Sequence, residues 1–327
     1  MPLTEFVPPV SAEHAARRGT FFVVINAGSG SHNSEEQQAL IADAFAEGGR
    51  HHEFLMIEDP ANIAEVARRA VELAKTRQGV VVAAGGDGTI NAVAAAVLGS
   101  GCPFGVLPQG TFNYFGRVHA IPQDSAAAAR ALLGAHIEAV QAGQVNGRLF
   151  LVNASVGLYP QLLEDREAWK QQLGRSRFVA FISGIATLLQ SRKQLQLQIE
   201  AGGQSVALRT PTLFVGNNHL QLERVGINAQ QADAVEQGQL AAIVVKPIGT
   251  LALFGLLLRG LLGQLGEAEN IDSFSFRRLT VTPRGTRRIK VATDGETAWM
   301  NTPLVFEIAP QPLLLLVPAP ADRAEVA

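Results

Sequence analysis

The stretch VVVAAGGDGTINAV, Val80 to Val93, decides how this chain is read. A run of β-branched residues, Val80 to Val82, passes through Ala83 and Ala84 into Gly85 and Gly86. Asp87, Gly88 and Thr89 follow, and then a run with helical character. A buried strand therefore stops at a tight turn and a helix begins. Gly85 and Gly86 can take positive φ and let another group approach the backbone. Thr89 or Asp87 can cap the new helix. Such a helix end presents free N–H groups and a positive dipole, which suit a phosphate. Asp87, the acid in the turn, would lie beside that phosphate, where Mg²⁺ is often needed.

Working outward, the same alternation recurs. Thr20 to Ile25 reads as a buried strand that runs into Asn26-Ala27-Gly28-Ser29-Gly30-Ser31, a loop small enough to form a backbone anion nest. Ser34 to Ala46 has helical spacing, with Ser34 and Gln37 in a capping pattern. Glu53 to Ile57 is a strand, Asn62 to Lys75 a helix, Phe104 to Leu107 a strand and Asp124 to Leu133 an Ala-rich helix. Strand and helix in alternation predict a doubly wound parallel sheet, an α/β nucleotide domain. Ligands bind such sheets at the carboxyl ends of their strands, where the Gly-rich loops lie. The loop after Phe104–Leu107, Pro108-Gln109-Gly110-Thr111, places Thr111 and Asn113 beside a glycine at one of those ends.

After Gly134 the pattern changes. Ile137–Val145, Arg148–Val156, Gln194–Glu200, Ser205–Arg209, Thr212–Val215 and Gln239–Val245 read as short strands, separated by turns such as Asn146-Gly147 and Gly202-Gly203. They predict an antiparallel, β-sandwich-like second domain. Arg177–Leu189 and Thr250–Gln264 interrupt it as apolar helices. Buried helices are the commoner use of such segments, ahead of a lipid-facing surface. Arg288–Ala292 is a strand that turns at Thr293-Asp294-Gly295-Glu296. Leu313–Leu316 is a last buried strand that could return to the first domain. The reading divides the chain into a loose leader at 1–18, a nucleotide domain at 19–136 and a β-rich domain at 137–318. The active site is expected in the cleft between the two domains.

Composition narrows the function classes. The 327 residues suffice for two domains, and a hydrophobic content of 47% supports large cores. A net charge of −2 offers no argument for a nucleic-acid partner. The single cysteine, Cys102, excludes an internal disulfide and fits a reducing compartment. No signal peptide is legible, and the longest apolar stretch, Leu251–Leu262, is too short to span a bilayer. A cytoplasmic protein with peripheral membrane association is the expectation.

Three motifs in order carry a resemblance. Gly85-Gly86-Asp87-Gly88-Thr89, then Gly110-Thr111-Phe112-Asn113-Tyr114-Phe115-Gly116-Arg117, then Asp294-Gly295-Glu296 resemble the signatures of the diacylglycerol kinase catalytic domain. The family is shared with sphingosine kinases, and the likeness extends from about Thr20 to Val317. It implies an ATP-dependent lipid kinase, using Mg²⁺, that phosphorylates a hydroxyl of diacylglycerol or a related lipid alcohol in lipid metabolism. A homodimer is compatible with it. Nucleotide contacts would come from Asn26, Gly28, Ser29, Gly30, Gly85, Gly86, Asp87, Gly88, Thr89, Gly110, Thr111 and Asn113.

Phosphoryl transfer to an alcohol needs a base near the hydroxyl and a cation at the phosphates. The resemblance makes Glu296 the base, with Asp294 orienting it or the turn, and Asp87 the Mg²⁺ ligand that could share the base role. Arg117 is expected to tie its loop down by an ion pair. The chain departs from the family pattern at Ala27 (proline), Ala92 (glutamate) and Tyr114 (an acid). Gln237-Gly238 stands where some bacterial relatives hold a second, structural Mg²⁺ with Asp-Gly. A neutral Gln suits that cation poorly, so the second site is expected to be weak or absent. Two other readings stay open: an NAD-kinase-like enzyme, against which the GTFNYFGR loop argues, and a nucleotide- or lipid-binding pseudokinase, which the departures keep alive and the retention of Asp87, Thr89, Thr111, Asn113 and Glu296 argues against.

Overall fold

A computed structural model describes residues 6–26, 33–110, 112–157, 194–224, 229–247 and 270–324. The chain folds into two units, Met1–Ala142 with Pro310–Ala327, and Gly143–Ala309. The two apolar segments read as helices at 177–189 and 250–264 lie outside the described residues.

The first unit is built on a six-stranded sheet. Its strands are β1 (Phe21–Asn26), β2 (His52–Ile57), β3 (Val80–Gly85), β4 (Pro103–Pro108), β5 (His136–Val140) and β18 (Leu313–Val317), in the order β2-β1-β3-β4-β18-β5. All neighbours are parallel except β5, which runs antiparallel to β18. β1, β3, β4 and β18 are buried almost throughout, as their uninterrupted apolar runs require when both faces of a sheet are covered. The cover comes from helices in two packed pairs. α2 (Asn33–Glu47) packs on α6 (Ser125–Leu133), and α3 (Ile63–Arg77) on α4 (Asp87–Val97). α3 buries Ala67, Ala70, Val71 and Ala74, the i, i+3, i+4, i+7 stripe of its sequence. Asp124 accepts from the Ala127 N–H at 2.8 Å and starts α6.

Two sequence expectations for this unit change. The stretch read as a loose leader contains α1 (Val10–Arg18), which buries Ala12, Ala15 and Ala16. Buried Arg50 supplies what the local sequence could not show. Its guanidinium donates to the carbonyls of Ala16 and Gly19 and lies 4.4 Å from the centroid of the Phe21 ring. It thereby satisfies carbonyls that the helix end leaves open. The strand read as Ile137–Val145 comes apart into two. β5 pairs with β18 in the first unit, whereas β6 (Gly143–Val145) pairs with β17 (Leu304–Ile308) in the second. Both partners come from the far end of the chain, so local pattern could not reveal the break.

The second unit contains two six-stranded antiparallel sheets. The first has the order β10-β9-β14-β17-β6-β7, with β7 (Arg148–Phe150), β9 (Leu195–Ala201), β10 (Gln204–Thr210) and β14 (Arg278–Pro283). The second has the order β13-β12-β11-β8-β15-β16, with β8 (Asn153–Gly157), β11 (Thr212–Gly216), β12 (Leu240–Val245), β13 (Ile271–Phe276), β15 (Arg288–Thr293) and β16 (Glu296–Asn301). Phe150, Ile199, Val281 and Phe306 of one sheet share a core with Val156, Leu213, Ala242 and Val291 of the other, which makes the unit a sandwich. α7 (His219–Arg224) and α8 (Ala229–Glu236) contribute Leu222 and Val235 to a smaller cluster with Ala241 and Ile243 on the opposite face of the second sheet. Gln237 and Gly238 form the turn that ends α8, with Gly238 at φ 80°. Among the described residues no helix is long and apolar enough to cross a membrane.

Candidate functional site

The strand order of the first unit reverses between β1 and β3, which both pair in parallel and leave opposite ways into their connections. Open α/β sheets bind ligands outside the carboxyl ends of the strands at such a reversal. Asn26 closes β1 there and Gly85 closes β3. Gly28, Ser29 and Gly30, and also Thr111, lie outside the described residues.

The β3–α4 turn is simpler than its glycines suggest. Neither Gly85 nor Gly86 has positive φ. Gly85 is required because a Cβ there would lie 2.7 Å from Cβ of Thr89. The buried Thr89 thus packs back on the turn and does not cap the helix. Gly86 is the N-cap, at φ −80° and ψ 179°, and has no side chain with which to cap α4. The first N–H groups of this 11-residue helix therefore receive no bond from their capping residue. At Gly86 a Cβ would meet the Gly110 backbone at ordinary contact distance, Cα at 3.6 Å and N at 4.0 Å, so the fold itself has room for alanine. The β3 and β4 turns are joined directly, since the Gln109 N–H donates to the Gly85 carbonyl at 2.8 Å.

Asp87 ties these turns together with one oxygen. Its Oδ2 accepts from the Asn113 N–H at 3.1 Å, at the start of α5 (Tyr114–Val118). Its Oδ1 is buried and has no hydrogen-bond partner among the described residues. Burial pushes the Asp87 pKa up, and the N–H groups of Asn113 and Tyr114 and the nearby Arg117 charge only partly offset this. A carboxylate oxygen left bare in a desolvated place is a strained arrangement unless something cationic or donating meets it. One carboxylate with open ligand positions matches the way Mg²⁺ is usually held, through one or two carboxylates, substrate phosphates and water.

Asn113 is otherwise engaged. It sits in the left-handed region at φ 49° and is buried. Its Oδ1 accepts from the Gly110 N–H, and its Nδ2 donates to the Gly110 carbonyl and to Gln123 Oε1, each at 2.9 Å. Asn113 therefore shapes the loop around Gly110, and its amide is spent on that task. Arg117 fastens the same loop by donating from Nε to the Phe112 carbonyl at 2.9 Å, and among the described residues no ion pair joins it. Gln109, which the sequence reading passed over, buries an Nε2 donor without a partner.

In the second unit the acidic turn divides its labour. Asp294, at φ 47°, accepts three backbone N–H groups: Leu151 at 2.7 Å, Val152 at 2.9 Å and Asn153 at 2.9 Å. Its own N–H donates to the Asn153 carbonyl at 2.9 Å. Asn217 takes the carbonyls of Leu151 and Val152. These bonds account for the break of Arg148–Val156 into β7 and β8, because an apolar run cannot announce that a distant carboxylate will fold it. Asp294 is thus a positioning residue, and its oxygens are occupied. Glu296 is exposed, and Arg148 meets it at 3.3 Å through Nη2 while donating from Nε to Thr293 Oγ1 at 3.0 Å. Arg148 follows the Asn146-Gly147 turn and carried no local signal of this role.

The model of the diacylglycerol kinase catalytic domain matches residues 20–145. A diacylglycerol kinase of Staphylococcus aureus is 31% identical over 215 residues, which cover 62% of this chain and 67% of the relative. The chain belongs to the diacylglycerol kinase family. An uncharacterized protein of Synechocystis is 25% identical over 245 residues, 73% of this chain but only 54% of that relative, so the chain spans about half of its length. A crystal structure of a diacylglycerol kinase from Bacillus anthracis superposes with a TM-score of 0.66 at 20% identity, over 92% of this chain and 97% of the other, and shows that the family fold is shared.

Proposed function

We propose that this chain is an ATP-dependent lipid kinase that phosphorylates a hydroxyl of diacylglycerol or a related lipid alcohol. The observation that carries the reading is the bare, buried Oδ1 of Asp87 beside the uncapped start of α4. That arrangement needs a partner, and a cation with nucleotide phosphates supplies one. Asp87 would hold Mg²⁺, which when bound neutralises phosphate charge. The backbone at Gly86 and Gly110 would lie along the phosphates, free of side chains. Glu296 would take the proton of the acceptor hydroxyl as its oxygen bonds to the γ-phosphorus and the bond to the bridging oxygen breaks, releasing ADP. Arg148 and Thr293 would keep that carboxylate in one place. A lipid acceptor requires peripheral contact with a membrane, in a cytoplasmic setting.

The test is turnover of ATP by the purified protein against a panel of lipid alcohols in detergent micelles, with NAD as a further acceptor. Transfer to diacylglycerol or a related lipid is the expected result. Transfer to NAD, or nucleotide binding without transfer to any acceptor, would replace the proposal.

A further inference from the structure

The β15–β16 hairpin carries an unusual outer face. Residues 284–301 contain four cations, Arg284, Arg287, Arg288 and Lys290, and two acids, Asp294 and Glu296, in a chain whose net charge is −2. Both acids are engaged, Asp294 by backbone N–H groups and Glu296 by Arg148. By sequence the stretch carries two more cations than acids. Arg284, Arg287 and Arg288 are exposed. Ile289 and Val291 point into the sandwich core, so Arg288 and Lys290 share the opposite face. Register places Lys290 opposite Trp299 and Arg288 opposite Asn301. Trp299 is 57% exposed, with Lys290 Nζ 5.3 Å from its ring centroid. The turn that bears Arg284 and Arg287 is pinned by the Arg284 N–H on the Gln196 carbonyl and by Thr302, which donates to the carbonyls of Thr286 and Arg287. Arg288, Lys290 and Trp299 thus form a cationic face tipped with a large amphipathic ring, the exposed Arg284 and Arg287 lie in the adjoining turn, and β16 is the outer strand of its sheet.

We infer that this face is the surface by which the protein sits on an anionic lipid bilayer. Each cation near a charged bilayer surface adds to attraction, and an indole has an apolar body and a polar N–H suited to the headgroup level. An acidic chain would otherwise be repelled from such a surface, so a local excess of cations is what contact requires. The inference deepens the lipid-kinase reading, since it names where that enzyme meets its substrate's membrane.

Trp169→Phe leaves Trp299 as the sole tryptophan of the chain, because the sequence contains two. Its emission should shift to the blue when vesicles of mixed phosphatidylglycerol and phosphatidylcholine are added, and stay unchanged with phosphatidylcholine alone. In co-sedimentation with the anionic vesicles, Arg287→Glu/Arg288→Glu and Trp299→Ala should each weaken partition, the charge reversal by about tenfold or more. Turnover of a short-chain lipid alcohol dispersed as monomers should be unchanged in both. Equal partition of the variants and the parent, partition independent of vesicle charge, or a spectral shift with RNA or on self-association in place of the anionic vesicles would overturn the inference. If the parent transfers phosphate to no lipid yet partitions through these residues, the kinase reading falls and the surface stands.

Discussion

Two Asp-Gly pairs, one in each unit, occupy chemically opposite places. Asp87-Gly88 opens α4 and Asp294-Gly295 turns β15 into β16. Asp294 spends its carboxylate on three N–H groups that would otherwise be buried without partners. Asp87 satisfies the start of α5 with one oxygen and leaves the other buried and bare. A carboxylate that accepts three backbone N–H groups stabilises the fold and has most of its acceptor capacity committed to it. A carboxylate held half-satisfied costs stability and is available for chemistry. The same two letters thus mark a structural clamp in one unit and a candidate ligand in the other.

The largest expected effect lies beside the clamp. Glu296→Gln keeps the size and hydrogen bonding of the side chain and removes its basicity. If Asp294 serves to present Glu296 as a base, kcat with a lipid alcohol should fall by ~10²–10⁴-fold, with ATP binding little changed. Steady-state kinetics with direct ATP-affinity measurement checks this. Near-normal kcat would leave the second turn a purely structural one, with Asp87 the base.

The same substitution at the two aspartates should then act in opposite directions on stability. Asp294→Asn sets an amide N–H₂ against one of the three backbone donors, since only its carbonyl oxygen accepts. Stability to urea should drop by about 1–3 kcal/mol. An unchanged midpoint would mean that the loop at 151–153 does not depend on the carboxylate.

The smallest effect is the pH-dependent one at Asp87. Its raised pKa means that the folded state holds its proton more tightly than the unfolded chain does. The parent therefore loses stability as pH rises from the ordinary carboxylate range through the raised value. Asp87→Asn, neutral throughout, avoids that loss. Its Tm in the absence of nucleotide should match the parent under acid conditions and exceed it at neutral pH, while Mg²⁺-dependent ATP binding is lost. A lower Tm at neutral pH would show that Asp87, too, is chiefly a clamp.

How much of this was legible follows the range of the interactions involved. The first unit's strands and helices announce themselves, because Val80–Ala84 or Leu313–Val317 can only be strands covered on both faces, and Ala67, Ala70, Val71 and Ala74 can only be one helix face. The three motifs were readable as letters, and their order carried the family. Gly85 and Gly86 were readable as a turn but not for the right reason: Gly85 yields to Thr89, and positive φ plays no part at either, whereas Gly295 does take it. Asn113 read as a nucleotide contact, and its bonds to Gly110 add the role of a loop brace, which the sequence did not show. The helix α1 was hidden because Arg50, which closes it, lies a full strand away.

By itself, then, the sequence determined the periodicities, the parallel and antiparallel halves and the positions of the acidic turns, since these depend on neighbouring residues and on the pleat and pitch of the backbone. Tertiary structure alone decided which acid is free. That choice rests on where backbone N–H groups from distant segments come to lie: Leu151, Val152 and Asn153 converge on Asp294, whereas among the described residues the start of α5 alone reaches Asp87. A hydrogen bond is short and directional, so its presence depends on positions fixed by the packing of the whole unit and cannot be read along the chain.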